Sequence, residues 1–193
     1  MNPARAPRLR VLPVTPGRWP DLERLFGPRG ACAGCWCQWA LLSRRAYESG
    51  KGAVNKARMR RRVATGPAPG LLGYLGNEPA GWCAVGPRAG YVRLAASRVL
   101  APVDDAPVWS IPCLFVPRAQ RGRGLSLALV RGAVAWARRQ GARIVEAYPL
   151  ELHGREPGAF TWWGTVGTFE AAGFREVARR SPMHPVLRRV LRG

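Results

Sequence analysis

Acidic residues are scarce in this sequence: 11 aspartates and glutamates stand against 31 lysines and arginines, and the formal net charge is +20. Lysine is scarce as well, because Lys51 and Lys56 are the only lysines and all other strongly basic residues are arginines. The chain also lacks any apolar run of the roughly 20 residues that a membrane helix needs, and no apolar segment near its start resembles a secretion signal. We therefore expect a cytoplasmic protein with no membrane association.

The sequence also has few potential metal ligands and no even number of cysteines for disulfide pairing. The chain has two histidines and five cysteines, and an odd number of cysteines fits reduced thiols better than a disulfide framework. Three of the cysteines lie in the segment Cys32–Trp39, and their spacing raises the alternative of a zinc site. A structural zinc site needs four nitrogen or sulfur ligands, however, and His153 and His184 are isolated in the sequence. We therefore expect no metal and predict a buried cluster of thiols and tryptophans.

The excess of positive charge favours a partner that carries many phosphates, since such a charge repels itself and attracts polyanions. One interpretation is a nucleic acid, in particular tRNA, and the other is a basic surface around a smaller phosphate ligand. Several arginines lie in the predicted helix Ala53–Val63, where they spread around the helix axis instead of forming one stripe. The arginines that we consider tentative nucleic-acid ligands are Arg58, Arg60, Arg61, Arg62, Arg138 and Arg139.

The hydrophobic pattern predicts a single α/β domain over residues 1–193, with its core at about 8–190. Strands are predicted at 9–14, 71–75, 80–85, 108–116, 143–148, 174–179 and 186–190, and helices at 15–25, 53–63, 125–140 and 162–172. The strand, loop, helix and strand between 108 and 148 form a crossover connection, which requires two parallel strands. The strands near 71–85 are joined by a short turn and form an antiparallel hairpin. The expected fold is therefore a mixed, central β-sheet flanked by helices.

The segment 116–126 has the composition of a phosphate-binding loop, and it lies between a predicted buried strand and a helix. Gly122 and Gly124 allow the backbone to approach a ligand closely. The first turn of the following helix leaves N–H groups unpaired, with about half a positive charge behind them. Arg121 and Arg123 could add charge-assisted hydrogen bonds. The sequence therefore predicts that this loop binds phosphate.

These residues also carry a resemblance to a known superfamily. The segment Ala119–Gly124 resembles the pyrophosphate loop of the GNAT N-acetyltransferases, Gln/Arg-x-x-Gly-x-Gly/Ala, and Phe169–Phe174 resembles their later Tyr-x-x-x-Gly-Phe helix end. The order of the predicted elements agrees over nearly the whole chain. The segments Gly34–Cys37 and Ala106–Trp109 resemble a bacterial subgroup of the superfamily. The resemblance implies an acyl-CoA co-substrate, commonly acetyl-CoA, whose acyl group is transferred to an amine.

The resemblance also implies which residues hold the acyl donor. The backbones of Leu114 and Val116 would contact the pantetheine arm, and the loop would hold the pyrophosphate. Three positions depart from the superfamily pattern: Ala119 stands at the first loop position, Phe169 replaces the usual tyrosine acid, and Trp162 replaces the usual pantetheine-binding asparagine. The donor-binding loop residues are Gln120, Arg121, Gly122, Arg123, Gly124, Leu125 and Ser126.

Candidate catalytic groups come from the predicted strand 143–148. Glu146 and Tyr148 share one face of that strand, because side chains alternate between the two faces, and they are the first candidates for base and acid. Asp105, with its neighbour Asp104, is the second candidate base. A structural alternative pairs Glu146 with one of the many arginines. His153 lies in a predicted loop near the site, where a surface position is more typical than a catalytic one.

Three functions follow as hypotheses. The first is an N-acyltransferase that uses acyl-CoA and acts on an amine of a small molecule or peptide. The second is a tRNA-dependent enzyme of the same superfamily, which takes aminoacyl-tRNA as its acyl donor or acylates charged tRNA. The third is a non-catalytic module that binds acyl-CoA or RNA, which the replacement of the usual tyrosine by Phe169 favours. The acceptor, the acyl group and the oligomeric state are left open by the sequence.

Overall fold

Seven strands form one mixed sheet in the computed structural model, which describes residues 9–152 and 161–191. The strands are β1 Leu9–Pro13, β2 Gly70–Leu75, β3 Glu78–Pro87, β4 Trp109–Phe115, β5 Ile144–Ala147, β6 Arg175–Arg179 and β7 Pro185–Val190. They lie in the order β1-β2-β3-β4-β5-β7-β6. Within the described sheet only β4 and β5 are parallel, as expected for strands joined through a helix.

Six α-helices accompany the sheet in the described part of the chain. They are α1 Trp19–Phe26, α2 Arg44–Ser49, α3 Ala53–Thr65, α4 Val92–Ala95, α5 Leu125–Arg139 and α6 Val166–Glu170. The predicted mixed α/β fold is confirmed, but α2 and α4 were not predicted and the predicted helix 162–172 is reduced to α6 and a short 3-10 turn. None of the described helices is both long and apolar enough to cross a bilayer.

The helices bury the two faces of the sheet in separate cores. Neighbouring side chains on β2 show this, because Leu71 and Leu72 point to opposite faces. Leu71 packs in the same core as Leu129 of α5, whereas Leu72 packs in the core that contains Leu22 of α1 and Met59 of α3. Helix α5 therefore covers one face, and α1 and α3 cover the other.

The sheet opens at the end of β4. Backbone pairing between β4 and β5 runs from Trp109 to Ile111 only. The next residue, Pro112, has no N–H to donate, and the β3–β4 register shifts beside it, as is typical of proline in a strand. The last part of β4, up to Phe115, therefore keeps one backbone edge without a strand partner in the described sheet. This open edge is where a groove lies.

Candidate active site

A groove of about 570 Å³ follows the open end of β4. Its floor includes Leu114 and Val116, and one end is formed by the loop that leads into α5. Among the described residues that line it none is acidic, whereas Arg121 is basic. The groove thus offers a backbone edge at one end and a positive loop at the other, which suits an elongated ligand with a phosphate group.

The loop holds its shape through two glycines in the left-handed region. Gly122 has a φ of 75° and Gly124, the residue before α5, has a φ of 73°. Side chains rarely tolerate this conformation. A Cβ atom at either position would meet no protein atom within 4 Å, so the requirement for glycine comes from the backbone and from the space left for a ligand.

The first turn of α5 presents unpaired N–H groups to the groove. The first hydrogen bond of the helix runs from the N–H of Ala128 to the carbonyl of Gly124 at 3.1 Å. The N–H groups of Leu125, Ser126 and Leu127 therefore have no partner within the helix, and all three residues line the groove. Such a helix start binds phosphate groups readily.

The groove brings together the predicted donor ligands with one exception. Leu114, Val116 and the loop residues all line it apart from Arg123, which is exposed and lies outside the lining. Gln120 carries an amide oxygen that is buried and has no hydrogen-bond partner in the described structure. A buried polar atom of this kind normally has a partner, so a bound ligand would complete this site.

The opposite wall contains Trp162, which the sequence analysis named only as a departure from the superfamily pattern, and three residues that it did not identify. Trp162 stacks on Trp163, with ring centroids 4.4 Å apart, and lines the groove together with Gly164. Thr165 and Thr168 lie next to it, and their hydroxyl oxygens are 3.0 Å apart. These residues reach the groove because the 3-10 turn at 161–163, just before α6, packs against β4, and the sequence gives no local signal of that contact.

Phe169, at the position of the superfamily's tyrosine, is fully buried. Its ring packs against Phe174, with centroids 5.2 Å apart. A side chain at position 164 would not fit, because the Cβ would lie 2.8 Å from the Phe169 ring. Phe169 is thus a packing residue that supports the groove wall.

A second cavity of about 290 Å³ adjoins the groove. We call it the thiol pocket, because Cys32, Cys35, Cys37 and Cys113 all line it. The two cavities share Ala31, Cys32, Phe115 and Trp162 as common lining. A molecule in the thiol pocket would therefore meet one in the groove at the end of β4.

The thiol pocket is bordered by a strained segment. Four of its residues that are not glycine have positive φ angles, namely Ala31, Ala33, Trp36 and Cys37. Such conformations cost free energy, persist only where the surrounding packing holds them and are concentrated at functional sites. Here the holding contacts include Trp36, which is buried against Trp19 with centroids 6.0 Å apart.

The thiols differ in their environments, and all five cysteines are free. Cys37 accepts a hydrogen bond from Nε1 of Trp82 at 3.2 Å, and a hydrogen bond from Cys113 is the main cause of its lowered pKa. Burial raises the pKa of Cys35 to about 11, and Cys32 is exposed. The cluster is thus only partly buried, and the described residues contain no group of three or more ligands that could hold a metal ion.

The candidate base and acid lie in a buried network instead of the groove. Glu146 is fully buried, and its Oε1 accepts hydrogen bonds from Arg88 at 2.8 Å and from the hydroxyl of Tyr148 at 2.5 Å. Its Oε2 accepts a hydrogen bond from Nε of Arg188 at 2.8 Å. Burial is also the main cause of the raised pKa of Tyr148, whose phenol therefore stays protonated. Glu146 lies opposite Ser110 in the pairing of β4 with β5, before the open part of β4. No residue of the network therefore lines either cavity.

The other candidates are also outside the two cavities. Asp104 is paired with Arg188 at 2.6 Å, and the hydrogen bond from this arginine lowers its pKa. Asp105 is exposed on the same loop and lines neither cavity. His153 lies outside the described residues.

The six candidate nucleic-acid ligands do not share one surface. Arg58 donates hydrogen bonds to the carbonyl of Ala46 and to Asn55, both at 2.9 Å, and so stabilises the α2–α3 connection. The next three arginines on α3 are exposed, and so are Arg138 and Arg139 at the end of α5. Since α3 and α5 cover opposite faces of the sheet, the exposed arginines form two separate groups.

The sequence of the chain matches a known family over β4, the glycine loop and α5. A model of the acetyltransferase (GNAT) family matches residues 36–153, which is more than half of the chain. The chain belongs to the GNAT family. No curated protein is significantly similar to it.

Solved structures of GNAT proteins share the fold. The PaiA N-acetyltransferase of Thermoplasma acidophilum in complex with coenzyme A aligns with a TM-score of 0.55 at 9% identity, over 95% of this chain and 99% of that one. The GNAT domain of PAT from S. lividans aligns with a TM-score of 0.55 at 18% identity, over 95% and 90%. A GCN5-related N-acetyltransferase from Kribbella flavida aligns with a TM-score of 0.50 at 18% identity, over 90% of this chain but 34% of that one. The chain thus spans about a third of the Kribbella protein, and these similarities concern the fold alone.

Proposed function

We propose that this GNAT protein is an N-acyltransferase that transfers an acyl group from acyl-CoA, with acetyl-CoA as the first candidate, to a primary amine. The observation that carries the proposal is the groove at the open end of β4, closed at one end by the glycine loop and the free N–H groups of α5. A diphosphate fits such N–H groups. The GNAT structure from Thermoplasma acidophilum is a complex with coenzyme A, which supports this choice of donor.

The donor would lie along the groove with its diphosphate at the loop. The pantetheine arm would then follow the backbone of Leu114 and Val116, the unpaired edge of β4. This orientation carries the thioester to the residues that the groove shares with the thiol pocket, in particular Phe115 and Trp162. An amine that enters through the thiol pocket would reach the thioester carbonyl there.

The reaction is a direct transfer between the two cavities. The amine nitrogen attacks the carbonyl carbon, the C–N bond forms and the C–S bond breaks. The nitrogen loses one proton, the sulfur gains one, and coenzyme A leaves as a thiol. A thiolate is already a fair leaving group, so much of the acceleration can come from holding the two reactants in position. The groove and the thiol pocket supply that positioning.

For Glu146 we propose a structural role in place of base catalysis. Both of its oxygens are engaged by guanidinium groups, and its burial leaves no path to either cavity in the described structure. A buried carboxylate with two arginine partners holds strands together. Removal of the carboxylate or of an arginine leaves a buried charge without its partner. Asp105 is the remaining candidate base from the sequence, and its exposed position outside the lining of both cavities argues for a surface role.

A tRNA-dependent reaction is the second candidate. The observation that favours it is that α3, with exposed Arg60 and Arg61, covers the same face of the sheet as the core that contains Cys37. An aminoacyl-tRNA bound along α3 could present its aminoacyl end, as donor or as acceptor, to the adjacent thiol pocket. The same charge also suits a non-catalytic RNA-binding module.

Binding and turnover separate these functions. Calorimetry with coenzyme A and acetyl-CoA should give saturable binding, and mass spectrometry should detect release of coenzyme A when an amine is added. Binding without acylation of any amine or charged tRNA would leave the non-catalytic module. Turnover with acetyl-CoA alone as donor, unaffected by tRNA, supports the first proposal, whereas acyl transfer that requires charged tRNA supports the second.

A further inference from the structure

The thiol pocket sets limits on the acceptor amine. It meets the groove at Cys32, Phe115 and Trp162, so under the proposed function it is the path by which an acceptor reaches the thioester. Its volume of about 290 Å³ is larger than the cavity of about 150 Å³ that can hold benzene in an engineered protein. A substituted aromatic ring therefore fits the space.

The walls of the pocket are flat and apolar. Trp39 and Trp162 both line it, with their rings edge to face and their centroids 5.1 Å apart. Tyr47, Pro112 and Phe115 complete an apolar lining. Aromatic side chains in such arrangements favour a planar apolar partner, which they can contact by stacking or by edge-to-face packing.

The charges around the pocket disfavour a cationic acceptor. The guanidinium of Arg93 lies 4.8 Å from the ring centre of Trp39 and 5.6 Å from that of Tyr47, and the ammonium of Lys51 lies 5.4 Å from that of Tyr47. Two aromatic walls therefore already hold a cation of the protein. Glu48, the acidic residue of the described lining, is neutralised by Lys51 at 2.5 Å. A second positive charge would be repelled.

We propose that the acceptor is a primary amine on an aromatic or similarly flat apolar body that carries no positive charge when it enters the thiol pocket. This inference rests on the proposed acyltransferase function. Aromatic amines meet the requirement, since their nitrogen is uncharged at neutral pH and keeps its lone pair for attack. Amine and thioester then give amide and thiol, and the proton lost by the nitrogen balances the proton gained by the sulfur.

A panel of acceptors tests the inference on the unaltered protein. With acetyl-CoA as donor, para-anisidine should be acetylated with a kcat/KM at least about tenfold higher than that of agmatine or spermidine, a difference of about 1.4 kcal/mol. A kcat/KM for agmatine or spermidine equal to or above that of para-anisidine overturns the inference but leaves the acyltransferase intact. Acetylation of no amine at all, with or without acetyl-CoA binding, overturns the proposed function as well.

The two lysines of the chain provide a matched pair of variants. Lys51 lines the pocket and pairs with Glu48, whereas Lys56 pairs with Glu23 at 2.6 Å, lies over the ring of Trp36 and lines neither cavity. Lys51→Glu should shift the ratio of kcat/KM values about tenfold toward agmatine, and Lys56→Glu should leave the ratio unchanged. Equal ratios in both variants and the unaltered protein would show that the charges around the pocket do not select the acceptor.

The aromatic wall is tested by a second matched pair. Trp39→Ala should raise the KM for para-anisidine about tenfold and leave the Kd of acetyl-CoA unchanged. Trp136→Ala is its control, because Trp136 also has an arginine, Arg139, 5.7 Å from its ring centre but lines neither cavity. An unchanged KM in a folded Trp39→Ala protein contradicts the assigned ring site, and the acceptor panel decides the question if that variant does not fold.

Discussion

Arg188 donates a hydrogen bond from Nε to the fully buried Oε2 of Glu146 over 2.8 Å. The same guanidinium is paired with Asp104, which is exposed, so one arginine on β7 ties β5 to the loop before β4. Arg88 closes the network from the other side of the carboxylate. The network neutralises a buried charge at the position where the parallel strands meet, just before they separate to form the groove.

Glu146→Gln should therefore lower the stability of the protein and leave its catalysis unchanged. Removing one partner of a buried ion pair leaves the other charge uncompensated, which costs about 3–5 kcal/mol. We expect the free energy of unfolding in urea to fall by about 3 kcal/mol, while kcat of the folded variant keeps its pH profile. Glu176→Gln is the control, since Glu176 pairs with Arg179 at the surface. This substitution should lower the free energy of unfolding by less than about 1 kcal/mol.

The opposite result would restore the catalytic interpretation. A general base typically contributes about 100-fold or more to the rate. If Glu146→Gln keeps the stability of the protein but lowers kcat by that factor, with loss of the acidic limb of the pH profile, where a base becomes protonated, Glu146 acts as the base.

The difference between the predicted and observed sites follows from the range of the contacts. The glycine loop could be predicted because a buried strand, two glycines and a helix start follow one another in the chain. The partners of Glu146 could not, because Arg88 and Arg188 are 58 and 42 residues away and nothing local distinguishes them among 31 basic residues.

The thiol pocket escaped prediction for a related reason. The sequence indicated a cluster of thiols and tryptophans in Cys32–Trp39, but not that Cys113 of β4 and Tyr47 of α2 would line one cavity with it. The left-handed backbone of Trp36 and Cys37 depends on tertiary packing, which local propensity does not predict.

The glycine loop gives a second prediction. Gly124→Ala forces a side chain into the left-handed region, at a cost of about 1–2 kcal/mol, and should displace the N–H groups that we propose as ligands of the diphosphate. We expect the Kd of coenzyme A to rise about tenfold, measured by calorimetry. Gly76→Ala is the control: Gly76 has a φ of 61° in the turn between β2 and β3, and a Cβ there also meets open space. This variant should lose similar stability and keep its Kd, and an equal rise in both variants would contradict the loop assignment.

The exposed thiol at the junction of the two cavities gives a third prediction. Cys32 should react with iodoacetamide faster than Cys35, whose raised pKa of about 11 keeps it protonated, and faster than the fully buried Cys83. Coenzyme A at about ten times its Kd should slow the alkylation of Cys32 about tenfold by mass action. Peptide mapping by mass spectrometry measures both rates. Alkylation of Cys32 that is indifferent to saturating coenzyme A would place the donor elsewhere.

The arginines of α3 give the last prediction, which concerns RNA. If Arg60 and Arg61 meet a phosphate backbone, each contact contributes a slope of about −0.7 to −0.9 to the dependence of log K on log salt. The double variant Arg60→Glu/Arg61→Glu should therefore flatten the slope for tRNA by about 1.5 and leave the Kd of coenzyme A unchanged. Arg138→Glu/Arg139→Glu makes the same charge change on α5, across the sheet, and should preserve the slope. Equal slopes in both variants, with no preference for aminoacyl-tRNA over uncharged RNA of the same length, would mean that the net charge of +20 is only a basic surface. The acyltransferase would then act without a nucleic-acid partner on this face.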